Sequence, residues 1–229
     1  MEANKKLFLG MGAKMFMVGG NPLMMFPGTY INLNLGNEKG DGGTPGSVVN
    51  HVGFTVPNVQ EAMAKWKAAG VPVIPGNNNR QDQAYVVTPD GLRIEILENK
   101  NQPESIRNEH VHFFVPEAAI PQIQAWYAKI FGAKPSSRNN AQFDDIPGVQ
   151  LRFNKTDPAA APTKGRVLDH IGFDVKDLQG FIKKLEANGI KLDRPYTKNE
   201  QTGAALAFIT DPWGTYIELN ERPNPVYLP

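Results

Sequence analysis

The chain of 229 residues contains no cysteine, and that absence excludes several kinds of chemistry. There can be no disulfide, no thiolate nucleophile, and no zinc or iron–sulfur site with cysteine ligands. Charge of one sign is also lacking, because 24 Lys and Arg stand against 23 Asp and Glu, which makes nucleic acid a poor partner. No apolar run approaches the roughly 18 residues of a membrane span. The composition predicts a soluble globular protein that binds neither nucleic acid nor membranes.

Three of the four histidines open the same short phrase. It reads H-V-G-F-T-V from His51, H-V-H-F-F-V from His110 and H-I-G-F-D-V from His170. The alternation of apolar and polar residues predicts a half-buried β-strand in each case. Imidazole is the commonest metal ligand in proteins. A fold that brings the repeated strands together could therefore gather these histidines around one ion.

The phrase belongs to a larger repeat. G-A-K at 12–14 recurs at 132–134, and P-G at 27–28 recurs at 147–148. Each histidine strand leads into a helical pattern that ends at a glycine, and short strands separated by Pro, Gly and Asn turns follow. The order β-α-β-β-β predicts four units of an α+β fold, at roughly 1–36, 48–100, 108–154 and 167–221.

The first unit is incomplete. Aligned on G-A-K, residue 1 corresponds to residue 121, so that the strand equivalent to 108–116 is missing. We expect either a native N-terminus further upstream or another chain segment in that place. Because an unfilled position leaves a sheet edge unpaired, we expect a homodimer that completes the missing strand, or local disorder.

The N-terminal segment only superficially resembles a signal peptide. Gly10, Gly12 and Lys14 interrupt its apolar run, and no convincing cleavage site follows. We therefore predict a cytoplasmic protein by default, with export left open because the native N-terminus is expected to be missing.

The paired units, the leading histidine strands and the closing strands resemble the vicinal oxygen chelate superfamily. The closing segments read D-G-L-R-I-E-I-L-E at 90–98 and D-P-W-G-T-Y-I-E-L-N at 211–220. This superfamily includes glyoxalase I, extradiol dioxygenases, fosfomycin-resistance transferases and bleomycin-binding proteins. The resemblance implies that two units form one curved sheet around a divalent metal. We predict two such glyoxalase-like halves, at 1–101 (the incomplete unit and unit 48–100) and at 102–229 (units 108–154 and 167–221).

The resemblance also implies the metal ligands. They are the histidines of the two opening strands and the glutamate of the second closing strand, which fall on His110, His170 and Glu218 in the C-terminal half. A weaker second set, His51 and Glu95, stands in the N-terminal half. Two histidines and one carboxylate suit Fe, Mn, Zn or Ni, and the identity of the metal stays open. For each residue the simpler alternative is a hydrogen-bonded or solvated side chain without a metal.

Three residues are candidates for catalysis. Glu218 doubles as a ligand, and His112, on the same strand face as His110, is interpreted as an acid/base group, a substitute ligand or a packed side chain. Arg152 stands where glyoxalase I carries a fourth ligand. An arginine does not ligate metals, but it could hold a substrate carboxylate or phosphate through its fork.

A metal held in this way can act as a Lewis acid. We predict a metal-dependent enzyme, either a glyoxalase-like lyase or isomerase or a dioxygenase, that acts on a small oxygen-rich substrate. Phe208 takes the place of the tyrosine usual in extradiol dioxygenases, which argues against ring cleavage, and Arg152 argues against glyoxalase I itself. The alternative is a metal-free protein of the bleomycin-resistance type that only sequesters a small molecule.

Overall fold

The computed structural model describes residues 1–18, 20–34 and 42–222. In these residues the helices are α1 (Glu2–Met11), α2 (Val59–Ala68), α3 (Ile120–Phe131) and α4 (Leu178–Ala187). The strands are β1 (Lys14–Val18), β2 (Asn21–Phe26), β3 (Thr29–Asn32), β4 (Val49–Val56), β5 (Val73–Pro75), β6 (Gln83–Val87), β7 (Arg93–Glu98), β8 (Arg107–Val115), β9 (Lys134–Arg138), β10 (Ala141–Ile146), β11 (Val149–Lys155), β12 (Ile171–Asp174), β13 (Arg194–Lys198), β14 (Ala205–Thr210) and β15 (Tyr216–Glu221).

Local sequence accounts for where the helices begin and end. The side chains of Asn58 and Asp177 accept hydrogen bonds from backbone N–H groups in the first turns of α2 and α4, which are otherwise unsatisfied. Helices α1 and α3 end at Gly12 and Gly132, both in the left-handed conformation that glycine adopts without strain. The described elements of residues 48–100, 108–154 and 167–221 follow one another in the order strand, helix and three strands.

The strands form three sheets among the described residues. Their orders are β1-β2-β3, then β5-β6-β7-β4-β8-β11-β10-β9, and β12-β15-β14-β13. In each complete unit the opening strand runs parallel to the closing strand, as β4 does to β7, β8 to β11 and β12 to β15. The predicted α+β class is confirmed.

The sheets and the apolar cores divide the chain differently. One core contains Phe8 and Phe54 and lies mainly in the first two units. The other contains Tyr127 and Leu185 and lies mainly in the last two, with Val48 and Val49 added from β4 and the residue before it. The eight-stranded sheet, however, joins unit 48–100 to unit 108–154 through antiparallel pairing of β4 with β8. The division at 101/102 stays a prediction: the cores nearly follow it, and the hydrogen-bonded sheet crosses it.

Strand β3 is an edge of the three-stranded sheet among the described residues. Strand β12 of the fourth unit is an edge as well. Arg222 lies near both, with its guanidinium carbon 4.5 Å from the centre of the Tyr30 ring and its Nε 3.6 Å from Asp174 Oδ1. The first and fourth units therefore stand side by side without a shared sheet. None of the helices described is long and apolar enough to cross a membrane.

Candidate metal centre

Four side chains converge on the eight-stranded sheet. They are His51, Glu95, His110 and His112, and each offers one ligand atom within 4.8 Å of the others. The Nε2 atoms of His51 and His110 lie 3.4 Å and 3.2 Å from Glu95 Oε2, and His112 Nδ1 lies 3.0 Å from His51 Nε2. Such a group of imidazoles around one carboxylate can hold a divalent cation.

The pairing of three strands produces this convergence. Strand β8 lies antiparallel to β4, with His112 opposite His51 and His110 opposite Gly53, and β7 places Glu95 beside Gly53 on the other side. A Cβ atom at position 53 would overlap the imidazole of His110. Glycine is therefore required at position 53, because the ring of His110 occupies the space that a side chain would take.

Glu95 is oriented by two neutral donors. Its Oε1 accepts hydrogen bonds from Gln83 Nε2 and from the hydroxyl of Tyr85, the latter at 3.2 Å. Its Oε2 faces the two histidines. Burial alone would raise the pKa of this carboxyl, but the adjacent imidazoles of His110 and His51 outweigh burial and hold the pKa far below its ordinary value. Glu95 is therefore an anion throughout the physiological pH range.

Each opening histidine is held by the residue immediately before it. His51 Nδ1 lies 2.9 Å from Asn50 Oδ1, His110 Nδ1 contacts Glu109 Oε2, and His170 Nδ1 lies 2.7 Å from Asp169 Oδ1. A proton on Nδ1, donated to that oxygen, leaves Nε2 with its lone pair directed away from the strand. Sequence reasoning missed this feature, although an Asn, Glu or Asp before each histidine is visible in the repeat.

Unsatisfied nitrogen atoms show that the cluster fits a metal. The Nε2 atoms of His110 and His112 are buried and have no hydrogen-bond partner among the described residues. Of these two atoms, the Nε2 of His110 lies beside Glu95, whereas His112 presents its Nδ1 to the cluster. His110 Nε2 is close to Glu95 but not aligned for a hydrogen bond with it. Atoms that ligate one ion at about 2.0–2.2 Å lie roughly 3–4 Å from one another, and the separations of 3.0, 3.2 and 3.4 Å agree with this.

The protonation states suit a cation too. Burial lowers the pKa of His51 despite the opposing effect of Glu95. Burial also lowers the pKa of His112 to about 3, and the neighbouring histidines add to this effect. Both imidazoles are therefore neutral at physiological pH, which is the form that binds metals.

His170 and Glu218 form a separate pair. Their Nε2 and Oε2 atoms are 3.1 Å apart, on the four-stranded sheet, and the imidazole is about a third exposed. Among the described strands, β8 hydrogen-bonds to β4 and not to β12, and the ligand set of His110, His170 and Glu218 stays a prediction. Burial by itself lowers the pKa of His170, but Asp169 and Glu218 raise it to about 9. This pair is accordingly an ion pair at neutral pH.

The comparisons with known proteins agree with this fold. Residues 109–219 match the model of the Glyoxalase/Bleomycin resistance protein/Dioxygenase superfamily. Residues 109–219 belong to this superfamily. The resemblance stated from the sequence is thereby confirmed. No curated protein sequence matches the chain.

A solved structure of glyoxalase I has a similar overall fold. Glyoxalase I from Zea mays is 16% identical, with a TM-score of 0.70 over 96% of this chain and 88% of that chain. The fosfomycin resistance protein FosX from Listeria monocytogenes is 17% identical and covers 52% of this chain and 95% of its own, with a TM-score of 0.42. At these identities the likeness to the maize enzyme shows a common fold.

Two positions considered from the superfamily pattern have different surroundings in the structure. Arg152 is paired to His112 across β8 and β11, and its guanidinium donates to Glu109 Oε1 and, at 3.0 Å, to Gln150 Oε1. Phe208, taken as the place of a missing tyrosine, pairs with Glu218. The equivalent position at the four-residue cluster is Tyr85, whose hydroxyl binds Glu95. The cluster thus has the tyrosine that the other pair lacks.

Proposed function

We propose that His51, Glu95 and His110 bind a divalent metal, that His112 is a fourth donor, and that the protein is a metal-dependent enzyme acting on a small oxygen-rich substrate. One observation carries this proposal: the buried Nε2 of His110, which has no hydrogen-bond partner among the described residues, lies 3.2 Å from the buried carboxylate of Glu95, beside two further imidazoles. In a site without a metal, such buried and unsatisfied groups would lower the stability of the folded protein. Fe, Mn, Zn and Ni all suit these ligands.

The ion, when bound, would supply a Lewis acid for an oxygen-rich substrate. The protein's own residues have distinct tasks. Gln83 and Tyr85 hold Glu95 in one orientation, and the residues before each histidine hold the imidazoles. His112 has a second possible task as an acid/base group, because it is neutral and belongs to the same cluster. The chemistry that fits best is that of a glyoxalase-like lyase or isomerase, since the fold is that of glyoxalase I.

Metal analysis combined with substitutions tests the site. Purified protein supplied with Zn²⁺, Mn²⁺, Fe²⁺ or Ni²⁺ should retain about one ion per chain, and the ion should raise the melting temperature until a chelator is added. His51→Ala and His110→Ala should abolish this response. His170→Ala is the matched control, since the same residue type is removed from outside the cluster.

The results separate the competing assignments. If His170→Ala and Glu218→Ala abolish binding while His51→Ala does not, the ligands are His110, His170 and Glu218 instead. If no metal is retained by the unaltered protein, the enzyme proposal fails and the metal-free binding protein takes its place. Dioxygen uptake with an oxygen-rich aromatic substrate would indicate a dioxygenase, and conversion without uptake a lyase or isomerase.

We also propose that the protein is a homodimer in which a second copy of the chain pairs with an open sheet edge of the first. Strands β3 and β12 are both edges in the described residues. Position 172, equivalent to Gly53, has room, because a Cβ there would meet only Asn220 Nδ2 at 3.5 Å and Glu218 at 3.9 Å. Light scattering should give twice the chain mass; a monomer at all concentrations would contradict this.

A further inference from the structure

We infer that Glu109 and Arg152 are positioning residues that set how tightly His110 binds the metal. This inference rests on the metal centre proposed above. It concerns two side chains that make no contact with an ion themselves, and one of them occupies a position that supplies a ligand elsewhere in the same repeat.

The contacts form an unbroken chain away from the cluster. His110 is fully buried, and its Nδ1 contacts Glu109 Oε2. The other oxygen of Glu109 accepts from Arg152 Nη2, while Arg152 Nε donates to Gln150 Oε1 at 3.0 Å. Gln150 Nε2 in turn donates to Asp145 Oδ1 at 3.0 Å. The imidazole of His110 is thus held by a side-chain network that runs across β8, β11 and β10.

The three copies of the opening strand show what is particular to this network. The residue before the histidine is a neutral amide at Asn50 and carboxylates at Glu109 and Asp169. A carboxylate on the outer nitrogen makes an imidazole a stronger ligand than an amide does, and it fixes the ring orientation. Of the two histidines that flank Glu95, only His110 has this charged support.

Arg152 compensates the negative charge of Glu109, which lies partly inside the protein. Register places it opposite His112, as Glu95 is opposite Gly53 in the preceding unit. The closing-strand position that holds the candidate ligand Glu95 in unit 48–100 therefore holds the cationic Arg152 in unit 108–154. That cation lies against Glu109, whose side chain is only 28% exposed, and compensates a half-buried negative charge. Arg152 Nη2 donates to Glu109, and Arg152 Nε donates to Gln150.

Metal affinity is the direct readout. The dissociation constant for Zn²⁺ would be measured by competition with a chromophoric chelator on the full chain. Glu109→Ala removes both the charge and the acceptor, and it should weaken binding about 10- to 100-fold. Glu109→Gln keeps an acceptor oxygen as at Asn50, so its loss should be smaller. Combining Arg152→Gln with Glu109→Gln should weaken binding no further than Glu109→Gln alone, because the arginine acts through that carboxylate.

The control is the corresponding substitution of the residue before the third opening histidine, His170. Asp169→Asn removes the carboxylate behind His170, outside the cluster, and should leave Zn²⁺ affinity within about twofold of the unaltered protein. The visible spectrum of bound Co²⁺ should change in the Glu109 variants and not in this control. Melting curves without metal identify any variant that fails to fold, in which case the isosteric Glu109→Gln decides.

The possible failures are distinguishable. If the unaltered protein binds Zn²⁺ and both Glu109 variants bind it equally well, this inference is overturned and the proposed function stands. If Asp169→Asn weakens binding as much as Glu109→Ala does, the effect is not local to His110 and the inference also fails. If the unaltered protein binds no metal, the proposed function falls first and takes the inference with it.

Discussion

Replacing Gly53 by alanine should disrupt the centre through one added methyl group. The new Cβ would overlap the His110 ring, and that ring is fully buried between Glu95 and Glu109 with no exposed place to move to. Forcing extra volume into a packed site costs about 1–3 kcal/mol. For a chain of this size that corresponds to a decrease in melting temperature of roughly 2–12 °C. Displacement of the ring should also remove one metal ligand.

Gly172→Ala is the matched control for this substitution. It lies at the equivalent place in the repeat, but its Cβ would make only ordinary contacts of 3.5 Å or more. With fewer conformations available to the unfolded chain, this variant should be unchanged or more stable by about 0.4–1 kcal/mol. Thermal unfolding without metal measures the packing term, and Zn²⁺ titration measures the loss of the ligand. Equal melting temperatures and equal Zn²⁺ affinities for the two variants would refute the steric argument.

Three other outcomes are expected. His112→Gly, which restores the residue found at the other two copies, should weaken metal binding at least about tenfold if His112 is a donor, and unchanged affinity would leave it only an acid/base role. His170 has a pKa of about 9 in the folded protein, above its ordinary 6.5; its stabilising effect should be complete below pH 6.5 and lost as the pH rises through about 9. The difference in melting temperature between the unaltered protein and Glu218→Gln should therefore shrink over that range, and a constant difference would contradict the ion pair. Tyr127→Phe should cost about 1–3 kcal/mol in a urea unfolding experiment, because it leaves the buried Asp211 Oδ2 without the hydroxyl that donates to it at 3.0 Å; a change in stability close to zero would show that this hydrogen bond contributes nothing.

Much of the candidate site could be predicted from local patterns. The histidine phrase and the closing strands identified all four members of the cluster as candidates, with His51 and Glu95 as the weaker set. Tyr85 and the residues before the histidines were missed, because their role depends on which atoms face them. The superfamily pattern places the tyrosine position at Phe208, next to the other histidine and glutamate.

The grouping of the candidates could not be predicted, for a physical reason. Periodicity and turn residues are local, and they are satisfied equally whichever unit pairs with which, since the units resemble one another. Pairing of β4 with β8 is a contact between strands distant in sequence, and it brings His110 to Glu95 and not to Glu218. The predicted halves at 1–101 and 102–229 nearly follow the apolar cores, while the sheet does not.

The sequence by itself determined the α+β repeat, the superfamily and the residue types able to hold a metal. Each of these depends on local features of the sequence, namely the alternation of apolar and polar residues, glycine turns and recurring phrases. Only the tertiary structure decided that His51, Glu95, His110 and His112 meet at one place, and that Arg152 supports Glu109 there. Those relations depend on strand register across the sheet, where one residue of shift would turn each side chain to the opposite face.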